Sequence, residues 1–153
     1  MKVATSETKT LLQAKGQAML KDQIADIQRQ LTELQESSEV EEKSSAGDKF
    51  ETHQEMIHQT RNILEKRLSS SKVMLNQLNA VPVKPMESVQ EGALFKVEMG
   101  NIWVSVPFGK ISLDGIDYQL VSPDSPLVAA LWNLKQGESG EFRGKKIKVI
   151  DLI

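Results

Sequence analysis

The chain of 153 residues contains no cysteine. Disulfides, thiolate catalysis and cysteine-ligated zinc are excluded together, and a reducing compartment is the natural setting. No stretch approaches the roughly 20 consecutive apolar residues that a membrane span needs. The first ten residues hold no apolar run of the kind a secretory signal uses. A cytoplasmic location with no membrane partner is therefore expected. The formal net charge is only -2, whereas a surface that coats nucleic acid unaided shows a strong basic excess. A phosphate-cradling glycine loop and a G-x-S-x-G elbow are both missing, so nothing points to a free-standing enzyme, which would need a deep polar pocket.

Aromatic residues make up only 5 % of the chain, and they are unevenly spread. Phe50 is the only one before residue 95, whereas Phe95, Trp103, Phe108, Tyr118, Trp132 and Phe142 follow it. Large rings carry much of the buried area of compact cores. The first half is therefore expected to be something other than a compact core.

What the first half does have is a heptad pattern. From Thr5 to Glu36 there is no proline and Gly16 is the only glycine. Leu20, Ile24, Ile27, Leu31 and Leu34 recur at steps of four and three, the narrow stripe that packs on one partner helix. Ser37, Ser38, Ser44, Ser45 and Gly47 are read as a break. A second helix is expected from about Lys49 to Asn79, with Ile57, Leu64, Leu68, Leu75 and Leu78 as its seam and Arg61 and Ser71 as weak positions. Val81, Pro82 and Pro85 end it. Two seams of similar length around a short polar break predict an antiparallel coiled-coil hairpin over 1–80 with an acidic tip near 39–51. At 1.5 Å per residue such an arm is about 45 Å long. The alternative is that both helices belong to a bundle, alone or as a dimer; narrow seams and missing rings favour the protruding arm of a monomer.

After Pro85 the period changes to two. Phe95 to Met99 alternates, as do Ile102, Val104 and Val106, which suits half-buried strands. Asp114-Gly115 between Ile111-Leu113 and Ile116-Leu120 is a hairpin turn signal, because both central residues must take positive φ. Ser125 can cap a short helix with Pro126 in its first turn, running to about Leu134. Gly137 and Gly140 frame a turn, and Lys145 to Ile153 reads as a final strand. Residues 81–153 are thus expected to form a β-rich domain with one short helix, and the whole chain is α+β.

Chemistry is densest at the hairpin tip. Glu36, Glu39, Glu41, Glu42, Asp48, Glu51 and Glu55 fall within twenty residues, opposed there by Lys43 and Lys49. Such crowding costs repulsion unless a cation or basic partner relieves it. Asp48 and Glu51, three apart, share a helical face and could hold Mg²⁺, which takes oxygen ligands. The same Asp-x-x-Glu spacing also suits a capping box, with Asp48 as cap. His53 and His58 are five apart, poorly placed for one face, and read as surface residues. Arg61, Lys66 and Arg67 read as a solvated helix surface.

Two motifs, in order, resemble the bacterial Gre transcript-cleavage factors, GreA- and GreB-like proteins. One is Gly47-Asp48-Lys49-Phe50-Glu51 at the tip. The other runs from Val121-Ser122-Pro123-Asp124-Ser125-Pro126-Leu127 through Ala130-Leu131 to Lys135-Gln136-Gly137-Glu138. The resemblance implies an FKBP-like C-terminal domain docked at the rim of the secondary channel of RNA polymerase, with the coiled coil inside the channel. It implies that Asp48 and Glu51 help hold a catalytic Mg²⁺ shared with the polymerase active site. The nascent RNA 3' end would be met only within that complex, and the protein would be an accessory factor, not an enzyme. Asp124, Ser125 and Pro126 are the implied docking residues. The chain departs from the family where Thr52-His53-Gln54 follows Glu51, where Lys49 and Phe50 occupy the middle positions, and in its few basic residues on the first helix. A channel-binding regulator that does not stimulate cleavage, and a coiled-coil adaptor unrelated to transcription, are the competing expectations.

Overall fold

The structure is a computed structural model that describes residues 5–43 and 48–153, with side chains described for 5–37 and 52–153. It has a long helical hairpin followed by a β-rich region with one short helix. The hairpin is made of α1 (Ser6–Lys43) and α2 (Asp48–Ala80). Thr5 starts α1 by a reciprocal cap: Thr8 N–H donates to Thr5 Oγ1 at 3.4 Å and Thr5 N–H donates to Thr8 Oγ1 at 3.1 Å. This satisfies two amides that a helix start leaves without partners. The break expected at Ser37 does not occur, and α1 runs on to Lys43. Serine is only mildly unfavourable inside a helix, and the glutamates around Ser37 and Ser38 are good helix formers.

The chain falls into two compact units, Met19–Leu75 and, together, Met1–Ala18 with Asn76–Ile153. In the first unit the seam is as the heptads predict. Leu20, Ile27, Ile57 and Leu64 are buried, and Ile24, Leu31, Leu34, Leu68 and Leu75 are half-buried. The weak positions are accommodated in two ways. Ser71 is small enough to be buried, and Arg61 Nη2 donates to Gln35 Oε1 across the hairpin at 2.9 Å. Outside the seam, Arg29 bridges Asp26 and Glu33 at 2.7 Å each on an exposed face.

In the other unit the seam is continued by Lys9, Leu12, Gly16 and Leu78. Gly16 is required by close approach, since a Cβ there would lie 2.9 Å from Leu78 Cδ2. Gln17 Nε2 donates to Asn79 Oδ1 at 2.7 Å and Gln13 Nε2 to Leu78 O at 2.9 Å. The Lys9 side chain is fully buried, and its ammonium donates to Lys84 O at 2.8 Å. Desolvation lowers its pKa to about 8.

The strands of this unit are β1 (Leu94–Val97), β2 (Gly100–Val104), β3 (Gly109–Leu113), β4 (Ile116–Val121), β5 (Ser139–Phe142), β6 (Lys145–Lys148) and β7 (Asp151–Leu152); α3 (Pro126–Ala130) lies between β4 and β5. Five of them form a sheet in the order β3-β4-β2-β1-β7, with β2 and β4 parallel and the other neighbours antiparallel. The Asp114-Gly115 turn is as predicted, with φ of 51° and 80°. One face of the sheet carries Phe95, Val97, Ile102 and Val104 against Val128, Leu131, Ile147 and Val149. On β3 and β4, Ile111 and Leu120 face the glycine of α1, within 3.6 and 4.0 Å of where its Cβ would stand. Trp103 is fully buried and its indole N–H donates to Gly92 O at 3.3 Å.

Two expectations fail in detail. The final strand is two: β6 pairs with β5, and after Val149 and Ile150 the chain changes sheets, so that β7 pairs with β1. The irregular step in the alternation before Leu152 marks that change. Helix α3 also stops at Ala130 instead of about Leu134, with Asn133 at φ 67° in the turn that follows.

Candidate functional site

The corner between β4 and α3 holds the docking residues expected from sequence. Ser122 organises it. Its hydroxyl accepts from Asp124 N–H at 3.1 Å and its carbonyl accepts from Ser125 N–H at 3.0 Å. This is a four-residue turn with Pro123 in the second position, where proline's fixed φ suits it. Ser125 stands at the N-cap of α3 with Pro126 in the first turn, but its hydroxyl makes no capping bond; its carbonyl accepts from Ala129 N–H at 2.9 Å. Val128 and Leu131, both fully buried, pin the short helix to the core. A fixed corner therefore presents exposed Asp124, half-buried Ser125 and exposed Pro126 side by side.

Beside this corner lies an open groove of about 470 Å³ lined by Pro107, Phe108, Gly109, Gln119, Leu120, Val121, Ser122, Asp124 and Ser125. The Pro107-Phe108-Gly109 wall was not anticipated. Its signal in the sequence is an aromatic between a proline and a glycine, which marks a loop but not the loop it faces. The groove is mostly apolar with a carboxylate and hydroxyls at one end, chemistry that suits a protein surface with an apolar anchor and a polar or basic rim. A second concavity of about 330 Å³ is lined by Thr5, Glu7, Thr8, Leu11, Leu113, Asp114, Ile116 and Tyr118.

The other expected site is at the start of α2. Asp48 is its first residue and Glu51 follows within the first turn, so the backbone puts them on one face. Their side chains lie outside the described residues, as does Gly47. As donors they fit Mg²⁺, being two hard carboxylate groups one helical turn apart. Helix N-termini stabilise such carboxylates by the positive end of the macrodipole, and the same field opposes a cation. Among the described residues, no group of three or more His, Cys, Asp or Glu is placed to hold a metal. His53 and His58 are exposed. Lys66 and Arg67 are exposed as expected, but Arg61 belongs to the seam through its bond to Gln35. No described helix is long and apolar enough to cross a membrane.

No family model matches the chain, and no curated protein matches it. Among solved structures, the chain is similar to GreA factor homologue 1 (Gfh1) of Thermus thermophilus at 18 % identity, over 90 % of this chain and 94 % of that one, with a TM-score of 0.36. A second structure, of the transcription factor Gfh1, is similar at 18 % identity over 90 % and 92 % of the two chains, with a TM-score of 0.38.

Proposed function

We propose that this chain is a Gre-type factor of the cytoplasm that docks on RNA polymerase at its secondary channel and stimulates cleavage of backtracked transcripts. The observation that carries the proposal is the start of α2. The second helix of a helical hairpin, with over thirty residues in each helix, begins at Asp48, with Glu51 one turn on. The Asp124-Ser125-Pro126 corner and the adjoining groove support it by giving an FKBP-like domain a preformed docking surface. In this reading Asp48 and Glu51 would complete the shell of a Mg²⁺ ion shared with the polymerase. When bound, such an ion lowers the pKa of the attacking water and stabilises the leaving oxygen. The free protein holds the ion weakly, because two carboxylates at a helix N-terminus are too few ligands and sit in an opposing field.

The test is transcript cleavage by a stalled, backtracked polymerase in Mg²⁺, with and without the protein. Acceleration is expected, with loss in the Asp48→Asn/Glu51→Gln double variant and polymerase binding retained. Cleavage that survives the double variant removes the metal role. Lys49, Phe50 and Thr52-His53-Gln54, which depart from the family's tip, favour a second reading, a channel-binding regulator. It predicts competition with another channel binder and no acceleration.

A further inference from the structure

The β5–β6 ribbon carries the most basic stretch of the sequence. Arg143, Lys145, Lys146 and Lys148 fall within six residues of a protein whose formal charge is -2. The ribbon closes through a two-residue turn, Arg143-Gly144, with φ of 51° and 77°. Its inner face is anchored: Ile147 is buried in the core, Phe142 packs against it, and Gly140 approaches so closely that a Cβ would lie 2.8 Å from Ala130 O. Alternation then turns Lys146 and Lys148 outward, and both are exposed, as are Lys145 and Arg143 beside the turn. The Arg143 guanidinium lies over the Phe142 ring, 5.0 Å from its centre, which holds it flat at the tip. Glu141, opposite Lys146 in the register, is the only carboxylate on the ribbon. Among the described residues, no ion pair or hydrogen bond occupies the side-chain ammonium of Lys145, Lys146 or Lys148.

We propose that this ribbon is a sequence-independent contact for the phosphate backbone of duplex DNA. Four adjacent cations against one carboxylate repel one another unless a polyanion relieves them. A protein partner fits poorly, because lysine is depleted from protein interfaces and the ribbon exposes no apolar anchor. A single strand also fits poorly. Such strands stack on exposed aromatics, and the one ring here is half-buried beneath Arg143. Lys146 and Lys148, two apart on a strand, are separated by about 6.7 Å, so one backbone with a phosphate about every 3.4 Å along its axis can engage both. No Asn or Gln stands on the ribbon to read an adenine edge, and Arg143, the side chain best suited to a guanine edge, is held over the Phe142 ring. A contact of this size acts locally and only at modest salt, consistent with the chain's weak overall charge.

The proposal does not rest on the polymerase reading and is tested on free DNA with the full chain. A labelled duplex is titrated with protein by fluorescence anisotropy at several NaCl concentrations. Binding is expected at low salt, with log K falling against log[NaCl] at a slope of about -3 to -4 for four neutralised phosphates. Lys145→Ala/Lys146→Ala/Lys148→Ala is expected to weaken binding equally for unrelated sequences and to reduce the slope by about 3. The same three positions changed to Gln should repeat the result, and unchanged thermal melting shows that both variants are folded. Absence of duplex binding at the lowest salt, a slope that the triple variants leave unchanged, tighter binding of single-stranded DNA or duplex RNA of the same length, or tighter binding of polyglutamate would each overturn it.

Discussion

Between Met19 and Leu75 the buried side chains stand in single file. Leu20 and Ile27 on α1, and Ile57, Leu64 and Ser71 on α2, have one facing helix on one side and water on the other. In the β-rich unit, by contrast, the sheet is covered on both faces: Val97, Ile102 and Val104 lie under α3 and the β5–β6 ribbon, and Ile111 and Leu120 lie under the start of α1 and the end of α2. The same aliphatic residues are used in both places. What differs is how many directions the packing comes from. A seam leucine is stabilised by neighbours a turn or two away, so loss of one is felt locally, whereas a residue inside the doubly covered sheet connects strands far apart in sequence.

The largest effect should come from the sheet. Trp103→Ala removes a fully buried ring and its hydrogen bond to Gly92 O, and a cost of about 3–5 kcal/mol is expected. Urea unfolding followed by Trp132 fluorescence measures it. Leu64→Ala in the seam should cost less, about 2 kcal/mol, at the low end for such truncations because the site is open to collapse and water on one side. Hydrogen exchange should rise in α2 around Leu64 while the amides of β1, β2 and β4 keep their protection. Equal loss of protection in both units would show that they open together and would remove the contrast.

The smallest effect at neutral pH concerns Lys9. Its folded pKa of about 8 lies below the unfolded value of 10.5, so between those pH values the unfolded chain binds more protons. Stability should therefore rise as pH rises from about 8 to 10.5. Lys9→Met keeps the volume, removes the ammonium, and is expected to flatten that part of the profile in thermal melts across the pH range. A profile unchanged by the substitution would mean that the buried ammonium is not its source.

The heptads and the period-two strands were legible because each follows from how often a side chain returns to the same face. Leu20 to Leu34, Ile57 to Leu78 and the Asp114-Gly115 turn carry that information locally. The end of α1 was misplaced because serines suggest a stop that only glycine or proline enforces. The sheet change at Val149 and Ile150 depends on pairing with Phe95 and Lys96, more than fifty residues earlier, and no local pattern contains it. Gly16 stood out as a lone glycine, but its reason, the Leu78 methyl beside it, is tertiary. The turn between β4 and α3 was legible in Ser122, Pro123 and Pro126, the groove wall at Phe108 was not, and the Lys9 burial gave no sign, since a seam position filled by lysine reads as solvated until its neighbours are known.

The Gln17–Asn79 contact at 2.7 Å has a consequence for how such a chain can change length. The polypeptide leaves the β-rich unit at Ala18 and re-enters it at Asn76, so the segment between behaves as an insertion with its two ends held together at the root. Whole heptads can be removed in pairs, one from each helix, and the seam stays in register while the root bond and everything beyond it are unchanged. Each such pair alters the length of the helical segment by about 10 Å. The length of that segment is thus a quantity that can drift by duplication and deletion independently of the β-rich fold.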